Sequence, residues 1–355
     1  MNITLNSLPT RTWNWLRMND STVKIEGDFI SYTPDAVYQE NDVLWEPASS
    51  WCRSSSIYGF NKDFTEITKD SDTSLVRVSE GHVMNSPIVI KYTYKDNGQT
   101  ASRLVLEALK DSTLTAVLLI QSENKEGNDI SALQVEVRAE ENATVNIYAA
   151  QITGTESICL NELGGYAREN AKVNLTRLEL GGKKAFTGAS IDLVGNESMF
   201  SALAGYHARE NQLLDMNYVA LHHGKRTESF MEVNGTLEEN SKKIFRGTID
   251  FQQGCQGAKG TENENVLLFG EKMVNQTIPL ILCKEEDVEG NHGASIGQLD
   301  DKLLFYLASR GIAPENAQKM IAQARIRSIC EKFPSEDVRK AIEKYEHMEV
   351  CVDEE

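Results

Sequence analysis

The chain reads as mainly β: a right-handed parallel β-helix with a mixed N-terminal region and a C-terminal helical cap. Three observations predict this. Short apolar runs separated by polar turns recur from Ile88 onward, a Glu-Asn signal repeats among them at a near-constant interval, and helical periodicity takes over after Gly290. The 355 residues divide accordingly into 1–87, a mixed region, 88–290, the β-helix core, and 291–355, the helical domain.

The first region is the least regular. Trp13, Trp15, Leu16, Trp45 and Trp51 are large apolar groups in a stretch rich in Asn, Asp and Ser. They are expected to plug a small satellite core against the main body.

From Ile88 the strands follow as Ile88–Tyr92, Arg103–Glu107, Leu114–Ile120 and Leu133–Val137. The segment Glu141-Asn142-Ala143-Thr144-Val145-Asn146-Ile147 is echoed by Glu169-Asn170-Ala171-Lys172-Val173-Asn174-Leu175, with weaker copies at Glu210-Asn211 and Glu239-Asn240. The intervals of 28, 41 and 29 residues are close to two, three and two multiples of one strand-plus-turn unit. Each Asn supplies a turn position that tolerates left-handed angles, and the alternation after it sends every second side chain inward. Stacked coils then share one core. A left-handed β-helix would show a stricter six-residue repeat, which is absent.

The stretch Gly290 to Ile312 is the hinge between the two architectures. Gly290, Gly293 and Gly297 surround His292. Leu299, Leu303, Leu304 and Leu307 then follow at helical spacing, with Asp300 and Asp301 in the first turn and Gly311 past the end. Pro314-Glu315-Asn316 starts a second helix and Pro334 a third, with Val338, Ala341, Ile342 and Tyr345 on one face. Capping the β-helix is a sufficient structural reason for all three.

Composition narrows the function classes. With 36 basic and 53 acidic residues, a net charge of −17, phosphate polymers and anionic membranes are disfavoured as partners. No apolar window is long enough to span a membrane, and the first residues lack the pattern of a signal peptide, so a cytoplasmic location is expected. Cys52, Cys159, Cys255, Cys283, Cys330 and Cys351 match neither a disulfide framework nor a C-x-x-C site, and most read as reduced, buried thiols. No phosphate-binding loop, nucleophile elbow or H-E-x-x-H motif is present. Adjacent His222 and His223 fall on opposite faces of a strand and are poorly placed to ligate one metal.

The run from His292 to Ile312 and the N-terminal Leu8-Pro9-Thr10-Arg11-Thr12-Trp13-Asn14-Trp15-Leu16 closely resemble the SufB/SufD family of iron–sulfur cluster assembly scaffolds. The resemblance implies a β-helix core and a non-catalytic subunit of the SufBCD complex. Such a chain pairs with a SufB-like paralogue through the β-helix edge and holds a SufC-type ABC ATPase through its C-terminal helices, where Leu303, Phe305, Tyr306, Arg310 and Ile312 are the candidate contacts. A transient iron–sulfur cluster would form at the subunit interface, and ATP-driven dimerisation of the ATPase would open that interface. The family also brings in a reduced flavin as a candidate visitor to the complex. No cofactor is expected to be tightly bound by the isolated chain.

His292 is the first candidate for cluster assembly. By chemistry alone a histidine in a Gly-rich bend is a structural residue, but the resemblance makes it an iron ligand or proton-transfer group. Glu264 stands where SufB carries its functional cysteine, and Gly293 where SufB carries a glutamate; both departures point to the SufD branch. Cys283 lies nine residues before His292, in the apolar run Leu280-Ile281-Leu282-Cys283. It reads first as a core thiol and second as a ligand near Glu264 at the same end of the solenoid. Two other readings stay open: a β-helix enzyme acting on polysaccharide, and a homodimeric scaffold that uses its own edge without SufB.

Overall fold

The computed structural model describes residues 1–12, 14–38, 43–47, 62–209 and 211–348. The N-terminal region contributes β1 (Asn2–Leu5), β2 (Ser21–Lys24), β3 (Ile30–Ser31), β4 (Asp35–Val37), β5 (Val43–Pro47) and α1 (Lys62–Thr68). Sixteen strands then build the solenoid: β6 (Thr73–Val78), β7 (Ile88–Tyr94), β8 (Gln99–Ala108), β9 (Thr113–Ser122), β10 (Ile130–Ala139), β11 (Thr144–Ile152), β12 (Ile158–Ala167), β13 (Lys172–Glu179), β14 (Lys184–Leu193), β15 (Met199–Ala208), β16 (Leu213–His222), β17 (Glu228–Glu238), β18 (Lys242–Phe251), β19 (Ala258–Phe269), β20 (Val274–Cys283) and β21 (Val288–Gly297). The chain closes with α2 (Asp301–Ser309), α3 (Pro314–Cys330) and α4 (Glu336–Tyr345).

Even-numbered strands from β6 to β20 pair in parallel in one sheet, and odd-numbered strands from β7 to β21 pair in parallel in the other. Each coil thus has two strands and two turns. Paired strands are in register, so side chains stack in rows that run the length of the solenoid. One inward row reads Ile88, Ala116, Ile147, Leu175, Ala202, Met231. All six are buried in the continuous lumen core, at about 1.5–3 kcal/mol for each of the larger side chains.

The repeated Glu-Asn signal marks the turns as expected. Asn142, Asn170, Asn211 and Asn240 all have φ between 56° and 62°, a region Asn enters at low cost. The first two lie on turns from the even to the odd sheet and the last two on the opposite turns, which explains the interval of 41. Side-chain amides also stack between coils, Asn174 on Asn146 at 2.9 Å and Asn265 on Asn234 at 3.1 Å.

The N-terminal satellite core forms, though from other residues than the tryptophans. Ile3, Leu5, Val23, Ile25, Phe64 and Ile67 pack on Ala101, Ala132, Leu160 and Phe186 of the even sheet. Arg246, fully buried, donates to the Met18 carbonyl at 2.7 Å and pairs with Asp215, which in turn accepts from Asn6 at 2.7 Å. Trp15 is 100% exposed and Leu16 is exposed, and the satellite core is filled by β1, β2 and α1 instead. Trp45 packs partly on the lumen core, while Trp13 and Trp51 lie outside the described residues.

Three helices follow where periodicity placed them, with small boundary shifts. Asp300 is the N-cap of α2, accepting from the Lys302 amide, rather than a first-turn residue; Gly311 takes φ 84° just past the end. Pro314 opens α3 and Ser335 caps α4. Ile326, Ile329, Phe333, Val338 and Ile342 pack on Val117, Leu119, Ala150, Leu178 and Leu180, the outer face of the odd sheet. The helical region therefore covers a flank and not the end of the solenoid.

Candidate functional site at the open end of the solenoid

The two ends of the coil stack differ. At the first coil, β4 and β5 pair antiparallel with β7 and β6 and close both sheets. At the last coil, β20 and β21 end the strand order of their sheets, and every β21 residue after Val288 is exposed. Among the described residues, two ten-residue strands thus present a free backbone edge. The glycine-rich stretch predicted as a hinge supplies this edge strand. Gly290 to Gly297 are extended, and helical structure begins at Asp301.

His292 lies in β21 opposite Glu262 of β19, and Ala294 lies opposite Glu264. In register, paired residues point to the same side. Glu262 and Glu264 are buried on the lumen side, and a Cβ on Gly290 would meet Phe251 and Ile281 of the lumen at 3.1 Å. His292, two residues on, shares that lumen-facing side. It continues the row that begins at Ile88, in which only the last two members, Glu262 and His292, are ionisable.

Behind the mouth sits a buried polar cluster. Glu264, 2% exposed, pairs with the Lys243 ammonium and accepts from the Thr277 hydroxyl at 2.7 Å; Lys243 also donates to Thr277 at 2.9 Å. Burial lowers the Lys243 pKa, and Glu264 offsets part of that fall. Burial, then the neighbouring Glu264, push the Glu262 carboxyl up to about 8, against the pull of Lys243. Glu262 is therefore largely protonated at neutral pH and can give or take a proton there. Its room is made by Gly247 on the opposite sheet, where a Cβ would lie 2.1 Å from the Glu262 carboxyl carbon.

The structure brings His292 and Glu264 to one mouth with Glu262, Lys243 and Thr277, none of which the motif reading singled out. The Glu262-Asn263-Glu264 alternation carried the signal, since residues two apart share a strand face. Cys283 ends β20 at the same open coil but beside Phe251, near the turn that leads into β21. His292 is the fifth residue of β21, roughly 13 Å along the strand from that turn. Cys283 is exposed, not a core thiol, because no further coil covers its run. Cys159, Cys255 and Cys330 are free and buried as expected. Leu303, Phe305 and Tyr306 are exposed on α2, Phe305 at 77%, and Arg310 stacks on Tyr306 at 5.3 Å; Ile312 is half-buried. His222 is buried between Thr227 and Ser229 at 2.7 and 2.9 Å, and burial lowers its pKa to about 3, so it is a neutral structural residue. Its neighbour His223 points to Asp192 at 2.5 Å.

Comparison with known proteins decides the family. Residues 91–325 match the family model described as SUF system FeS cluster assembly, SufBD core domain. The chain belongs to the SufBD family. This SufBD-family chain is 23% identical over 261 residues to the iron–sulfur cluster assembly protein SufD of Bacillus subtilis, covering 73% of this chain and 60% of that protein. It is 25% identical over 282 residues to a SufBD family protein of Synechocystis (76% and 58%) and 28% identical over 193 residues to a chloroplastic one of Arabidopsis thaliana (54% and 35%). The chain thus spans 60% or less of the length of these relatives. Among the described residues, no helix is long and apolar enough to cross a membrane.

Proposed function

We propose that this chain is a SufD-like scaffold subunit of iron–sulfur cluster assembly. It pairs with a SufB-like paralogue through β20 and β21 and docks a SufC-type ATPase on α2. The observation that carries this reading is the asymmetry of the stack, with antiparallel strands closing one end and two bare strand edges at the other. A bare parallel edge is a template for another strand. A paralogue of the same fold would extend both sheets and bury the mouth that holds His292.

In that interface the nascent cluster is cargo. The His292 imidazole offers an iron ligand through either ring nitrogen, and Glu262, whose carboxyl titrates at about 8, takes up in its ionised form the proton released as hydrosulfide becomes bridging sulfide. Glu264 is held in place by Lys243 and Thr277 and keeps the mouth polar. Cys283 is a second candidate ligand on the other side of the same coil. A reduced flavin belongs to the assembled complex, not to this chain alone. The chain supplies the platform, and ATP hydrolysis is left to the partner.

The test is reconstitution with the paralogue and the ATPase. His292→Ala is expected to reduce cluster formation, followed by iron–sulfide absorbance, without changing the melting temperature; undiminished assembly would remove His292 from the mechanism. Pairing of two copies of this chain through the same edge is the second reading, favoured by the same bare strands. Light scattering with and without the paralogue separates the two.

A further inference from the structure

On the flank of the solenoid, away from the mouth, His207 sits at the end of β15 under the helical region and is 4% exposed. Its Nε2 lies 2.8 Å from a Glu238 carboxylate oxygen and its Nδ1 3.1 Å from a Glu346 carboxylate oxygen. Glu346 directly follows α4 and also pairs with Arg209. An ionised carboxylate only accepts hydrogen bonds, and a neutral imidazole has one N–H to give. Satisfying both carboxylates requires the imidazolium.

We infer that His207 is a proton-dependent latch holding the end of α4, and with it the helical region, against the solenoid. When it is an imidazolium, it bridges β17 to the residue after α4. When it is neutral, one of the two carboxylates loses its donor, and the cluster of Glu238, Glu346 and Arg209 carries a net negative charge. The other charged groups lining the 480 Å³ cleft beside it are Glu239 from the turn after β17, Glu315 and Lys319 from α3, and His347. His347 turns to Lys125, its Nε2 2.6 Å from the ammonium, and takes no part in the bridge. Arg209 stays charged at every relevant pH and keeps hold of Glu346, so opening loosens the attachment without severing it. The direction is fixed as well. Burial lowers the imidazole pKa, but Glu238 and Glu346 together outweigh it and the net shift is upward. A group with a raised pKa contributes fully below its unfolded value and loses that contribution as pH rises through the folded value.

Hydrogen–deuterium exchange on the full chain tests this, with rates corrected for intrinsic exchange and peptides from β12, in the sheet the helical region does not cover, as the reference. Between about pH 6 and about pH 9, protection of residues 336–348 should fall in the wild type by about tenfold for each pKa unit that docking adds to His207. His207→Gln should show no such fall, His347→Gln should behave as wild type, and Glu238→Gln should move the midpoint to lower pH. The inference is overturned by a flat wild-type profile, by an equal fall in His207→Gln, or by loss of the fall in His347→Gln. If His207→Gln does not fold, an unmoved midpoint in Glu238→Gln overturns it alone.

Discussion

Glu262 and His292 occupy paired positions on neighbouring strands, facing the lumen at the last two coils of the stack. Six apolar residues precede them in the same row. The change from hydrocarbon to ionisable groups occurs where the core meets the open end, and this makes the mouth chemically distinct from the rest of the lumen.

Glu262 makes stability depend on pH. Its folded pKa of about 8 lies above the ordinary carboxylate value of 4.5, so the folded state binds more protons. Its contribution is complete below about 4.5 and is lost as pH rises through about 8. Thermal melts from about pH 5 to about pH 9 should show the wild type losing stability on the order of a few kcal/mol relative to Glu262→Gln. Parallel curves would show that Glu262 titrates normally.

Gly247 and Glu262 share one volume across the lumen, so Gly247→Ala should cost about 1–3 kcal/mol through overpacking. Adding Glu262→Ala removes the carboxyl that the new methyl meets at 2.1–2.3 Å and should recover most of that loss. Denaturant titration of both single variants and the double variant measures the coupling, and additive losses would place the strain elsewhere.

Lys243 and Glu264 form a fully buried pair, with side chains 0% and 1% exposed. Lys243→Met alone strands a carboxylate and should cost about 3–5 kcal/mol, whereas Lys243→Met with Glu264→Leu should be much closer to wild type. Chemical denaturation reads the difference, and a double variant as weak as the single one would rule out stranded charge as the cause.

Phe305 and Tyr306 are exposed on α2, so Phe305→Ala should leave the melting temperature of the isolated chain within about 1 °C, as surface substitutions do. If α2 is the proposed docking site, affinity for a SufC-type ATPase, measured by calorimetry, should fall tenfold or more in Phe305→Ala. Unchanged affinity would move the docking site off α2.

Much of this architecture was legible in the chain. The Glu-Asn turns announced the coil because the left-handed angle at each Asn is a local requirement, and the Pro314 and Gly311 helix boundaries are local too. What lies next to what is not local. Size alone makes Trp15 a core candidate, but it does not say which residues of the segment reach the sheet, and here Ile3, Leu5, Val23 and Ile25 do. Cys283 looked buried because its run matches interior strands, and only the order of coils places it last. The hinge at His292 is a strand because glycine-rich sequence is silent on whether a neighbouring strand will pair with it. His207 and Glu346 are 139 residues apart, a distance no sequence pattern bridges.

In the proposed function the bare last coil is a pairing surface. Size-exclusion chromatography with light scattering, on the chain mixed with a SufB-like protein, tests it when wild type is compared with Ala294→Lys and Ile296→Lys, which place charge on the lumen side of β21. A stable heterodimer is expected for wild type and separate chains for both variants, with the melting temperature of the isolated chain unchanged. Full-strength pairing by both variants would contradict it.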